Sequence, residues 1–357
     1  MGLIIEGIQF HRIQKKLKKP FVTSLQTVTD RESIIVTVKS DGELAGYGEC
    51  VAFSTPWYTE ETVESCEFVM EQVLQPLLLK KELAGPEEVA VIFSSVKGNH
   101  MAKAAIEMAV WDLFAKFEGV SLSEYIGGTQ KEISAGVVVA AGSEDLLNEI
   151  EQAAAKGYSR IKIKISPKTD VEVLSEAVKR FPDILFFADA NGSFSGETLA
   201  RLKDFEGVGF TLIEQPFGEQ EWQLHAKANS ELKTPICLDE SIKSLHDVER
   251  MVEMKAGEII VLKMGRLGGW TETLKVVDLC RRHGIGMWVG GMIEFGVSKA
   301  HNLALASLPD IVLPGDFSDS RHFWEEDIVS PEIEVVDGKI VLHDKVGIGY
   351  DVHLDKA

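Results

Sequence analysis

The sequence predicts an α/β protein, a (β/α)-barrel preceded by an α+β unit. Three observations carry that prediction. From about residue 134, short apolar strands alternate with amphipathic helical segments. Lys164, Asp189, Glu214, Asp239 and Lys263 fall at or near the ends of successive strands, at steps of 25, 25, 25 and 24 residues, one βα unit each. Before residue 125 the pattern is different: alternating strands come first and two long helical stretches follow.

In chain order, "IIEGIQFHRI" and "ESIIVTVKSDGELAGYGEC" show strand alternation, the second broken by a turn at Asp41-Gly42. "TEETVESCEFVMEQVLQPLLL" reads as a helix capped by Thr59. "AKAAIEMAVWDLFAKFEG" reads as a second helix closed by Gly119, apolar nearly all round and so packed on both sides. Eight strands follow: "SAGVVVAAG", "RIKIKIS", "ILFFADANG", "GFTLIEQPF", "TPICLDES", "EIIVLKMGR", "GIGMWVGGM" and "DIVLPGDF". Seven helical segments separate them, among them "SEDLLNEIEQAAAKG" and "TETLKVVDLCRRHG". The tail "EIEVVDGKIVLHDKVGIGYDV" has hairpin alternation about Asp337-Gly338 and is expected to return to the first unit. The expected division is residues 1–125 with the return 331–357, and 126–330 for the barrel.

Composition bounds the function. A net charge of −19 argues against nucleic acid or anionic membrane as a partner. No apolar run approaches a membrane span, and "MGLIIEGIQF" lacks the basic flank of a signal peptide. Glu6 stands where a myristoylation signal needs Ser or Thr, so a cytoplasmic location is expected. Cys50, Cys66, Cys237 and Cys280 are scattered without metal-ligand spacing and read as reduced packing residues.

Closing the barrel brings the five strand-end residues to one mouth. Three carboxylates there repel unless a cation holds them, and an all-oxygen set open to substrate suits Mg²⁺, with Mn²⁺ as a substitute. Because the lysines lie on the flanking strands, simple lysine–carboxylate pairing does not account for the set. Lys162 shares a face with Lys164, so like charge and desolvation are expected to lower the ammonium pKa towards a working base. Lys263 approaches from the opposite side. Such a set is equipped to remove a proton beside a carboxylate and stabilise an enediolate. Arg266 has two readings, tuning Lys263 or capping a helix start. Phe21, Phe53 and Trp57 also have two, an apolar lid over substrate or packing of an interdomain seam.

With these residues in view, the chain resembles the enolase superfamily over essentially its whole length. "KIK", "DANG", "IEQP", "LDES" and "LKMGRLGG" are similar to the muconate-lactonising subgroup. The resemblance implies a (β/α)7β barrel under an α+β capping domain built from N-terminal and C-terminal segments. It implies Lys164 and Lys263 as acid–base catalysts and Asp189, Glu214 and Asp239 as Mg²⁺ ligands. The mandelate-racemase branch needs a His at the seventh strand, where this chain has "VGGM"; His301 falls later and reads as a helix residue.

"GGMIEFGVSKAHN" and "LPGDFS" are similar to the o-succinylbenzoate synthase and N-succinylamino acid racemase group. Dipeptide epimerases carry Asp-x-Asp at the eighth strand, where this chain has Asp316-Phe317-Ser318. The group implies a small carboxylate substrate with a succinyl arm and a homo-oligomeric protein. The expected substrate contacts are Lys162, Asn191, Arg266, Gly291, Met292, Ile293, Phe21 and Ser24. The expected reaction is an Mg²⁺-dependent dehydration in menaquinone biosynthesis, with racemisation by the same two lysines as the alternative.

Overall fold

A computed structural model describes residues 2–22, 26–41, 44–139 and 146–356. The N-terminal strands β1 (Leu3–Val22), β2 (Thr27–Ser40) and β3 (Ala45–Cys50) form an antiparallel sheet in the order β3-β2-β1, extended by the short β4 (Glu82–Leu83). Of the predicted Asp41-Gly42 turn, Gly42 lies outside the described residues. Ile34, Val36 and Val38 are fully buried beside the helix His100–Phe117, most of whose side chains are buried too, as its apolar circumference predicted. Gly119 ends that helix at φ +72°.

The preceding helix begins at Val63, and its cap is Thr62, not Thr59. Thr62 accepts from Ser65 N, and the Ser65 hydroxyl accepts from Thr62 N, a capping box with Ser in place of Glu. Glu61, just before the cap, sends its carboxylate to accept from Met101 N and Ala102 N at the start of the helix His100–Phe117.

Seven parallel strands run side by side in chain order, after the short β5 (Glu132–Ser134): β6 (Gly136–Val139), β7 (Arg160–Lys164), β8 (Leu185–Asp189), β9 (Leu212–Glu214), β10 (Ile236–Leu238), β11 (Ile259–Leu262) and β12 (Gly286–Val289). Part of the first predicted strand, residues 140–142, lies outside the described residues. The predicted eighth strand, "DIVLPGDF", does not form one. Pro314 lacks the N–H a ladder needs, and the segment makes one bridge, Gly315 to Ala135, beside a bond from Asp316 N to Val289 O of 2.9 Å. Those two contacts still link the edges of the sheet at β6 and β12.

Ile161 and Ile163 of β7 belong to the main hydrophobic core. On the other face, Phe187, Leu212, Cys237, Val261 and Trp288 make a second small cluster, with Arg160 stacked 5.2 Å from the centroids of both Phe187 and Trp288. The lysines of the "RIKIK" run rise above this plug. The tail turns at Asp337-Gly338, both at positive φ, but its strand Lys339–Val341 pairs with β5 and not with the N-terminal sheet. It reaches the first unit further on, where Ile348 N donates to Asp112 Oδ1 at 2.7 Å. All four cysteines are buried and unpaired. Among the described residues no helix is long and apolar enough to cross a membrane.

Candidate active site

Lys164, Asp189 and Glu214 are aligned neighbours at the C-terminal ends of β7, β8 and β9. Asp239 and Lys263 directly follow β10 and β11. Parallel pairing at a common register therefore turns a 25-residue spacing into a row. Lys162, Lys164, Asp189, Asn191, Asp239 and Lys263 line one pocket, with Glu214 fully buried beneath. The far wall comes from Gly291, Met292 and Ile293, and the roof from Phe21, Phe53, Trp57 and Tyr58. The last three rings pack on one another, with centroids 4.6–6.2 Å apart. Ser24 lies outside the described residues.

The electrostatics differ from the expectation in two respects. First, lysines do pair with the acids, most closely with two of them. Lys164 Nζ donates to Asp189 Oδ2 at 2.6 Å and to Asn191 Oδ1 at 2.5 Å, and Lys263 Nζ donates to Asp239 Oδ2 at 2.8 Å. Burial works against the charged form of each acid, but these cations outweigh it and hold both carboxyls below their usual range. Second, Lys162 is not a lowered ammonium. Burial opposes its charge, but Asp316 at 2.9 Å, with Glu214 and Asp189 each at 3.4 Å, raises its pKa. Asp316 arrives from 154 residues away, beyond any local pattern around Lys162.

Glu214 is held less closely than the other two acids, by Lys162 Nζ at 3.5 Å from Oε1 and 3.4 Å from Oε2. Its Oε2 is buried and accepts no hydrogen bond, and burial together with repulsion from Asp189 pushes its carboxyl well above the usual range. Glu240 behaves similarly: Oε2 has no partner, and burial and Asp239 push it up to about 7. Among the described residues no three His, Cys, Asp or Glu side chains are gathered closely enough to hold a metal ion as they stand. In chemistry the all-oxygen set of Asp189, Glu214 and Asp239, with Glu214 Oε2 buried and accepting no hydrogen bond, nevertheless suits a hard divalent cation.

Arg266, expected among the substrate contacts, does not line the pocket. It is buried inside the one-turn helix Met264–Leu267 and caps nothing. Its Nη1 donates to Asp239 Oδ1 at 2.5 Å and to Tyr58 Oη at 2.6 Å, so it stands behind Lys263. His301 sits in the helix Gly296–Ala306, where Trp270 Nε1 donates to Nδ1 and burial lowers its pKa to about 4.

Four residues escaped the sequence reading. Tyr58 Oη accepts from both Lys263 and Arg266. Asp316 pairs with Lys162 and with Arg160 Nη2 at 2.7 Å. Glu240 accepts from Asn191 Nδ2 at 3.0 Å. Arg160 carried a signal, since it stands two residues before Lys162 in the same alternation.

This fold and site define an enzyme of the enolase superfamily, to which the chain belongs. Residues 7–127 match the mandelate racemase / muconate lactonizing enzyme N-terminal domain, and residues 145–357 match the enolase C-terminal domain-like family. The particular relatives are narrower. The o-succinylbenzoate synthase of Geobacillus kaustophilus is 44% identical over 99% of this chain and 94% of its own length. The N-succinylamino acid racemase of Thermus thermophilus is 40% identical over 98% of this chain and 95% of its own. The crystal structure of an enolase-superfamily member from Listeria innocua superposes with a TM-score of 0.96 at 38% identity, covering 99% of this chain and 96% of that one.

Proposed function

We propose that this enzyme is an o-succinylbenzoate synthase. It dehydrates 2-succinyl-6-hydroxy-2,4-cyclohexadiene-1-carboxylate through an enediolate, in menaquinone biosynthesis in the cytoplasm. The observation that carries the reading is that Lys164 and Lys263 face one pocket from either end of the three acid-bearing strands. The architecture that goes with it is a (β/α)7β barrel over residues 126–330, in which the single bridge at Gly315 stands in the place of the last strand, capped by residues 1–125 and 331–357.

Asp189, Glu214 and Asp239 would hold Mg²⁺, which supplies positive charge for gripping and acidifying a carboxylate substrate. Lys164 removes the proton alpha to that carboxylate, then as an ammonium protonates the hydroxyl leaving from the same face. Lys263, anchored to Asp239 and Tyr58, stays cationic and stabilises the enediolate. The aromatic roof excludes water from the reaction.

The same placement favours a second reading, N-succinylamino acid racemisation, in which Lys164 and Lys263 exchange protons on opposite faces of one alpha carbon. Both substrates share a carboxylate beside an acidic carbon and a succinyl arm. Proton NMR in deuterated water with Mg²⁺ separates them. Dehydration that falls by roughly 10²–10⁴-fold in Lys164→Ala supports the synthase. Fast alpha-proton exchange beside slow dehydration makes the enzyme a racemase. Neither reaction, in the presence of Mg²⁺, refutes both.

A further inference from the structure

Ile293 lines the pocket with a backbone φ of +55°, in the left-handed region. A β-branched residue is strained there and persists only where its surroundings over-determine it. The restraint comes largely from the other domain. The Ile293 carbonyl accepts from Arg31 Nε at 3.2 Å, and Arg31 belongs to β2, with 1% of its surface exposed. The same guanidinium donates from Nη1 to Ala52 O at 2.6 Å and from Nη2 to Val51 O at 2.7 Å, and lies 4.4 Å from the centroid of Phe53. Glu49 on β3 adds to the hold by accepting from Phe295 N at 2.9 Å and Ser298 N at 2.8 Å. Burial lowers the Arg31 pKa, and the nearby Glu49 and Glu294 offset only part of that.

We propose that Arg31 is a positioning residue that clasps two walls of the pocket across the domain boundary. One wall is the 51–53 segment that carries Phe53, and the other is the 291–295 segment that carries Ile293. By holding both, it sets the width available to the non-reacting arm of the substrate. The inference rests on reading this pocket as the active site. The role needs donors fanned in three directions from one planar group, which a lysine ammonium on a single nitrogen cannot match.

The test combines Arg31→Lys, Ile293→Gly and the double variant, using steady-state kinetics with Mg²⁺ and the succinyl substrates. Arg31→Lys should raise KM about tenfold and leave kcat within about threefold, because the reacting groups stay in place. In the Ile293→Gly background, where glycine takes positive φ freely, the same substitution should cost less than about threefold. Equal losses in both backgrounds, or a lower melting temperature with unchanged KM, overturn the proposal. Arg31→Gln, which keeps two donors, serves if the lysine variant does not fold. Hydrogen exchange gives a readout independent of turnover: peptides over 51–58 and 291–298 should speed up together in Arg31→Lys. Faster exchange in the first peptide alone overturns the clasp. A wild type inert towards both substrates refutes the functional reading, and the exchange result then decides the clasp by itself.

Discussion

Tyr58 shows what a single hydroxyl contributes to a lysine. It accepts from Lys263 Nζ at 2.8 Å while Arg266 holds it from behind, and the ammonium also lies 4.8 Å from the centroid of its ring. Tyr58→Phe keeps the ring packed on Phe53 and Trp57 but leaves Lys263 one partner short. Hydrogen bonds to charged groups are worth about 1.5–3 kcal/mol, so steady-state assays should show kcat/KM down by roughly tenfold or more with the fold retained. An unchanged value would mean that Asp239 alone orients the lysine. Lys162, Lys164, Asp189, Glu214, Asp239 and Lys263 were legible in the sequence because one βα unit separates each strand end from the next. Tyr58 was not, since it stands 205 positions before Lys263 and no local pattern connects them.

At the scale of elements, two contacts join strands and helices more closely than their sequences suggest. β3 carries Gly46 and Gly48 on one face, and a Cβ at Gly48 would stand 2.1 Å from Ala105 O of the helix His100–Phe117. Gly48→Ala should therefore lower stability in urea by about 1–3 kcal/mol, the usual cost of overpacking. The second contact is the Glu107 carboxylate of that helix, which accepts from Thr271 N at 2.8 Å at the start of the helix Trp270–His283. Burial pushes Glu107 up to about 7, against the partial relief given by Thr271, Trp111 and Lys275. Between the usual carboxylate range and pH 7 the folded state then binds more protons than the unfolded one. Its contribution is full at low pH and fades as pH rises through 7. Denaturant melts from pH 5 to 8 should show wild type losing up to roughly 3 kcal/mol that Glu107→Gln does not lose. Parallel slopes would mean that Glu107 stays ionised throughout.

For the whole molecule, the metal should be part of the stability. Mg²⁺ bound only by the folded state adds about 2.7 kcal/mol at a hundred times its dissociation constant, and a chelator removes that gain. Thermal melts should show the shift in wild type and its near-absence in Glu214→Gln. Without metal the variant should melt no lower than wild type, because burial and the Asp189 charge disfavour the ionised Glu214 carboxylate despite Lys162 Nζ at 3.4 Å. A metal-dependent shift retained in Glu214→Gln would remove Glu214 from the ligand set.

The sequence by itself determined the alternation of strands and helices, the row of charged strand ends and the inward face of "RIKIK". Each of these is a local periodicity, of two residues or of one βα unit, repeated along the chain. Only the tertiary structure decided which charges meet. Asp316 neutralises Lys162, Arg266 backs Asp239, and Arg31 reaches from one domain to the strained backbone of the other. The eighth strand was lost for a similar reason, because Pro314 left too few donors for a ladder and the sheet edges met through Gly315 and Asp316 instead. Contacts between residues distant in sequence set the pKa values and the pocket walls, and no window on the chain contains both partners.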